Sequence, residues 1–151
     1  MENRKIYAVI DTNVIVSALI SGNPRSNPMI VMAAVFSGKI TPVYNDEILR
    51  EYREVLTRSK FNLEKQDIDD ATAVFEGYGL NLNRTMVVNV DFPDLKDVVF
   101  YEVKMSKADA YLVTGNKKHF PNHPLVVTPK EMVDILSNVA DDCATFFQPL
   151  S

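Results

Sequence analysis

Cysteine is almost absent from this chain: Cys143 is the single thiol among 151 residues. One thiol excludes an internal disulfide framework, and such a chain is expected in a reducing, cytoplasmic compartment. No apolar run approaches the roughly 18–20 residues that span a bilayer, so no membrane segment is expected. The opening "MENRK" leads straight into a strand-like run, without a signal-peptide cleavage pattern. A surplus of positive charge is missing too. Sixteen Lys and Arg stand against 20 Asp and Glu, a formal net charge of -4. Bulk electrostatics therefore do not recruit nucleic acid. A polyanion that binds here must be brought in by a local basic patch or a bound cation.

What is present fits one folded domain. Hydrophobic residues make up 46% and charged residues 24%, ordinary values for a globular chain long enough to bury a core. "IYAVI" (6–10), "ITPVY" (40–44), "TMVVNV" (85–90), "AYLVT" (110–114) and "LVVT" (125–128) read as strands. Helices are expected over 13–20, 29–38, 45–56, 63–79, 98–106 and 129–139. The third is the best signalled: Asn45 caps it, acids fill its first turn, and Ile48, Leu49, Tyr52, Val55 and Leu56 form one stripe. Pro129 suits the first position of the last. Residues 1–140 are expected to form the domain, with 141–151 as a loosely held tail. Alternation of strands and helices predicts an α/β fold, a three-layer α/β/α sandwich around a parallel sheet of about five strands. Ligands of such sheets bind beyond the carboxyl ends of the strands, where strand order reverses.

The acids fall in a pattern that suits such a site. "AVIDTNVIVSAL" (8–19) ends its strand in Asp11, Thr12 and Asn13, three polar residues where a glycine turn would suffice. Asp94 and Asp97 follow the expected third strand, and Asn116 follows the fourth. Glu51 flanks the apolar stripe of its helix more closely than Glu47 or Glu54. Carboxylates gathered at one edge stay ionised only if a cation offsets their repulsion. Oxygen donors with no His or Cys beside them favour Mg²⁺ or Mn²⁺. Such an ion keeps positions open for water and a phosphate, a combination suited to phosphodiester hydrolysis. Arg25, Lys117 and Lys118 are candidate phosphate contacts.

Plainer readings compete with these. Asp11, Asp94 and Asp97 can each cap a helix, and Asn116 in "GN" is ordinary turn chemistry. Glu102 falls on an apolar helix side and needs a partner that the sequence does not name. His119 and His123 lie in a Pro-broken loop without further zinc ligands, and Cys143 has no partner His.

These motifs carry a resemblance. From about residue 6 to 137 the chain resembles the PIN domain, a metal-dependent ribonuclease fold, and looks closest to the branch of toxin components of bacterial toxin–antitoxin systems. "AVIDTNVIVSAL" resembles the first motif, with Asp11 as the acid and Thr12, Asn13 and Ser17 in support. "NDEILREYREVL" resembles the second, whose acid falls on Glu51. "DLKDVVFYE" resembles the third, whose acid falls on Asp97, with Asp94 in the variable preceding position. "AYLVTGN" resembles the fourth, which contains Thr114 and commonly ends in Asp; here that position is Asn116. The resemblance implies a single-strand-preferring endoribonuclease in which Asp11, Glu51 and Asp97 hold Mg²⁺ or Mn²⁺, directly or through water, and Asn116 positions a water. It implies an RNA substrate, an antitoxin protein as partner, and a homodimer. An amide at 116 adds no charge, which disfavours a second metal. Two other readings differ in class. A phosphatase of the haloacid dehalogenase type needs a second acid two residues after Asp11, where this chain has Asn13. A PIN-like RNA-binding or partner-binding module without activity would follow if Asn116 marks a decayed site.

Overall fold

A computed structural model describes the backbone of residues 5–147 and the side chains of residues 5–139. The first strand, β1 (Ile6–Ile10), is almost wholly buried and ends directly in Asp11. The chain turns at once into α1 (Thr12–Ser21), and Gly22, at φ 64, closes that helix in the left-handed conformation that favours glycine. Ser26 caps α2 (Asn27–Phe36) by accepting from the Met29 amide, and Pro28 occupies its first turn. The chain re-enters the sheet as β2 (Ile40–Tyr44). Asn45 then caps α3 (Asp46–Leu56), its side chain accepting from the Ile48 amide. The stripe of α3 buries Ile48, Leu49, Tyr52 and Leu56.

After α4 (Lys65–Tyr78), Gly79 lets the chain pass close to its own helix: a Cβ there would sit 2.3 Å from the Phe75 carbonyl oxygen. The edge strand β3 (Leu80–Asn81) follows immediately. Then come α5 (Val98–Met105), β4 (Tyr111–Val113), β5 (Val126–Val127) and α6 (Pro129–Phe147). The five strands are all parallel, in the order β3-β2-β1-β4-β5. Helices flank the sheet, giving the α/β/α sandwich. The chain first builds outward from β1 through β2 and β3, then crosses to β4 on the other side. The order therefore reverses between β1 and β4, which places a crevice at their carboxyl ends.

Two expectations need correction. "TMVVNV" (85–90) is not a strand. Its β-branched composition suits a sheet, but its amides bond to α5 instead: Thr85 donates to the Glu102 carbonyl (3.0 Å) and Val87 to the Glu102 carboxylate (2.9 Å). The third strand is Leu80–Asn81, and Leu82 extends its pairing to the Tyr44 carbonyl. The last helix also continues past the expected end at 139, as far as Phe147. The rest of the expected tail, 148–151, and the side chain of Cys143 lie outside the described residues. No helix among the described residues is long and apolar enough to cross a membrane.

Candidate active site

Asp11 occupies the N-cap position of α1, yet its carboxylate makes no capping bond. It accepts instead from Thr114 Oγ1 at 2.8 Å, across the strand-order reversal. The backbone closes the same seam, Asp11 N–H donating to the Val113 carbonyl at 2.9 Å. Thr114 is fully buried and accepts in turn from the Asn116 amide at 3.0 Å. One hydroxyl thus fixes the acid at the end of β1 and the loop that follows β4.

Glu51 is brought in by a second threonine. Thr12 Oγ1 donates to Glu51 Oε2 at 2.7 Å. The next residue along α3, Tyr52, is wholly buried and donates its hydroxyl to the Ile10 carbonyl. Its ring packs on Phe75 at 4.9 Å and on Phe100 at 6.3 Å. Tyr52 therefore anchors α3 to the last residue of β1, so Glu51 faces Asp11 while Glu47 pairs outward with Arg84 at 2.8 Å.

Asp97 ends the 3-10 turn Leu95–Asp97 and stands at the N-terminus of α5, where it makes no capping bond. Its Oδ2 is buried and accepts no hydrogen bond. His119 Nδ1 stands 3.2 Å from that oxygen, close enough for charge interaction but out of line for a hydrogen bond. The expectation that no imidazole adjoins the acids is thereby overturned. His123 belongs elsewhere, its Nδ1 accepting from the Leu125 amide and its ring beside Tyr101.

The electrostatics of the three acids agree in sign. Burial pushes the Asp11 carboxyl up to about 6; the Thr114 bond opposes this and the Asp97 charge adds to it. Glu51 is raised by burial, against the Thr12 bond and with the Asp11 charge. Asp97 is raised by burial and by Asp94, with His119 opposing. Three acids held together, with burial outweighing the opposing charges of His119 and Lys96, give up protons reluctantly. Among the described residues, no three His, Cys, Asp or Glu side chains form a ready group around one metal ion. The orphaned Asp97 oxygen and the buried Asp11 carboxylate nevertheless fit a hard, oxygen-seeking divalent cation held partly through water.

The remaining sequence candidates divide. Asn13 and Ser17 are exposed on α1, one turn apart. Asp94 is exposed and its side chain accepts from the Lys96 amide at 2.9 Å, so it caps a turn. Asn116 is exposed, and its side chain makes no capping bond. Lys117 pairs with Glu131 at 3.1 Å, and Lys118 is exposed beside it. Arg25 is exposed in the loop after α1. Helix α1 carries the chain back along the sheet, and the neighbouring Pro24 shares a groove with Lys5, Ile6 and Lys39 at the amino ends of β1 and β2. Sequence reasoning missed His119 as a neighbour of the acids and Tyr52 as an anchor. The signal for His119 was its place three residues past Asn116, in the same loop.

The buried acid Glu102 has a structural partner. Arg84 meets its Oε1 at 2.7 Å and reaches Glu47 with its other arm, while Val87 N–H donates to Oε2. This network pins the segment after β3 to α5.

Residues 7–118 match the PIN domain family. The chain belongs to the PIN domain family. The match begins within β1 and ends just after Asn116, so it takes in Asp11, Glu51, Asp97 and Asn116 together. PIN domains are nuclease-type folds that typically bind nucleic acid and depend on a divalent metal. No curated protein and no solved structure matches this chain.

Proposed function

We propose that this PIN domain is a metal-dependent endoribonuclease that hydrolyses RNA phosphodiester bonds. Asp11, Glu51 and Asp97 hold Mg²⁺ or Mn²⁺, in part through water. Thr114 and Thr12 fix the first two acids, and His119 stands against the third. The bound ion supplies a more acidic water and a Lewis acid for the phosphoryl oxygen. Asn116, at the mouth of the crevice, orients water, and Thr12 keeps Glu51 turned inward. The observation that carries the reading is the buried Asp11 carboxylate. It is fixed by Thr114 at the switch point of the sheet, spends nothing on capping, and lies beside an acid whose buried oxygen accepts no hydrogen bond. Incubating a mixed RNA pool with Mg²⁺ or Mn²⁺, against an Asp11→Asn control, tests it.

The resemblance to toxin components further suggests the toxin of a toxin–antitoxin pair, with an antitoxin protein as partner and a homodimer as the assembled form. Growth arrest on expression, relieved by a co-expressed neighbouring gene product, tests the first. Mass in solution at micromolar concentration tests the dimer.

A second reading has its own support. Asn116 stands where the family's fourth motif commonly has an acid, and its exposed side chain makes no capping bond, which suits a nucleic-acid-binding or partner-binding module without catalysis. In that case RNA binds and stays intact.

A further inference from the structure

The chain's net charge of -4 requires local cations if it is to hold RNA, and none of the cationic sequence candidates lines the groove beside Glu51. Arg25 follows Pro24, which lines a groove at the amino ends of β1 and β2; Lys117 is paired with Glu131, and the exposed Lys118 lines a separate groove with His123. A groove of about 310 Å³ opens instead beside Glu51. Arg50 and the acids Glu47, Glu51 and Glu54 of α3 line one side, and Leu95, Lys96 and Val99 line the other. Two further arginines line it, but both are engaged. Arg84 is held by Glu47 and Glu102, and Arg58 sits 3.8 Å from Glu54. Arg50 and Lys96 are exposed and have no carboxylate within ion-pair distance among the described residues. The Lys96 charge is felt at the Glu51 carboxyl. Leu95, 82% exposed on the rim, adds an apolar surface that nothing in the fold covers.

We infer that this groove is the substrate track: Arg50 and Lys96 clamp the phosphates of a single RNA strand from opposite walls, and an unpaired base lies against Leu95. The inference rests on the nuclease reading for the identity of the polyanion. It adds the residues that bind it and a physical basis for the single-strand preference that the resemblance implies. Two cations on different elements of one groove, each without an ion-pair partner among the described residues, suit one phosphate backbone. The apolar rim rewards a base whose face is bare, and a duplex keeps its base faces stacked inside. The position matters for chemistry as well, because a strand held here passes Glu51 on its way to Asp11.

The test is fluorescence anisotropy of a labelled single-stranded RNA at low salt in EDTA, where binding is read without cleavage. Arg50→Ala combined with Lys96→Ala should weaken binding by about tenfold or more and lower the salt slope by about 1.4, roughly 0.7 for each lost phosphate contact. Leu95→Ser should weaken single-strand binding and leave the salt slope unchanged. Arg25→Ala should change neither quantity, and all variants should keep the melting temperature of the parent. Equal loss in Arg25→Ala and in the double variant overturns the track, as does absence of any binding by the intact chain. Duplex RNA bound as tightly as single strands overturns the strandedness. If the track binds RNA as described and no metal brings cleavage, the nuclease reading fails while this inference stands.

Discussion

Thr114 Oγ1 lies 2.8 Å from Asp11 Oδ2, joining residues 103 apart in sequence at the carboxyl ends of two neighbouring strands. This bond is the first to test, because it holds the buried acid in place and eases its ionisation. Thr114→Val keeps the shape and removes the donor. We expect a loss of about 1–3 kcal/mol in chemical denaturation, the usual cost of leaving a buried acceptor unsatisfied. We also expect the Asp11 carboxyl to titrate higher than in the parent. An unchanged carboxyl titration, followed by NMR, would mean that the threonine only fills space.

The acid cluster makes a prediction with a definite sign. The Asp11 carboxyl rises from 3.8 to about 6 on folding. Between those values this carboxyl is more protonated in the folded chain than in the unfolded one, so its contribution to metal-free stability falls as pH rises through that window. The Asp11 contribution is at most about 3 kcal/mol, at 1.36 kcal/mol per pK unit. Glu51 and Asp97 are shifted the same way. Burial pushes the His123 imidazole down, which acts the other way in this window, so the expected sign is a difference: in EDTA the parent should gain stability relative to Asp11→Asn as pH falls from 7 to 5. Asp11→Asn should match or exceed the parent at pH 7. Added Mn²⁺ should raise the melting temperature of the parent at pH 7 and leave that of Asp11→Asn unchanged. A large loss of stability in metal-free Asp11→Asn would show that the carboxylate is structural.

Much of this architecture was legible from local signals. The junction of β1 with α1, the Asn45 cap, the stripe of α3 and Pro129 at the start of α6 all depend on neighbours within a few residues. The inward turn of Glu51 was also readable, since it follows from helical geometry. The failures share one cause: the deciding partner lies far along the chain. "TMVVNV" has the composition of a strand, but its amides are taken by Glu102, 15 residues beyond Val87. Arg84 as the partner of Glu102 is likewise 18 residues away. His119 reaches Asp97 only because the loops after β3 and β4 meet at one edge of the sheet. For Arg25, nothing in its own loop says at which end of the sheet α1 delivers it.

Glu102 gives a prediction independent of catalysis. Glu102→Ala strands the Val87 amide and leaves Arg84 with Glu47 alone, and should cost about 2–3 kcal/mol. Glu102→Gln retains an acceptor for Val87 and should cost less. Hydrogen exchange should rise in residues 84–90 in both variants, more in the alanine. Equal protection in all three proteins would contradict the pinning role.

Asn116 separates the active reading from the inactive one. Its exposed side chain implies that Asn116→Ala changes stability by no more than about 0.5 kcal/mol. Asn116→Asp adds a carboxylate near the three acids and should tighten Mn²⁺ binding, measured by calorimetry, while keeping or raising RNA cleavage. Asn116→Ala should weaken both. If neither substitution alters metal affinity or cleavage, Asn116 is a turn residue and the site is complete without it.

The central claim is that Asp11, Glu51 and Asp97 form a metal-dependent ribonuclease centre. Its most direct measurement is the cleavage rate of a mixed single-stranded RNA pool with Mn²⁺, set beside an EDTA blank and the Asp11→Asn protein. The account predicts cleavage that requires the metal and falls by at least two orders of magnitude, roughly, in Asp11→Asn. Cleavage that persists in EDTA or in Asp11→Asn, or an intact pool after prolonged incubation of the parent with Mn²⁺ and with Mg²⁺, would contradict it.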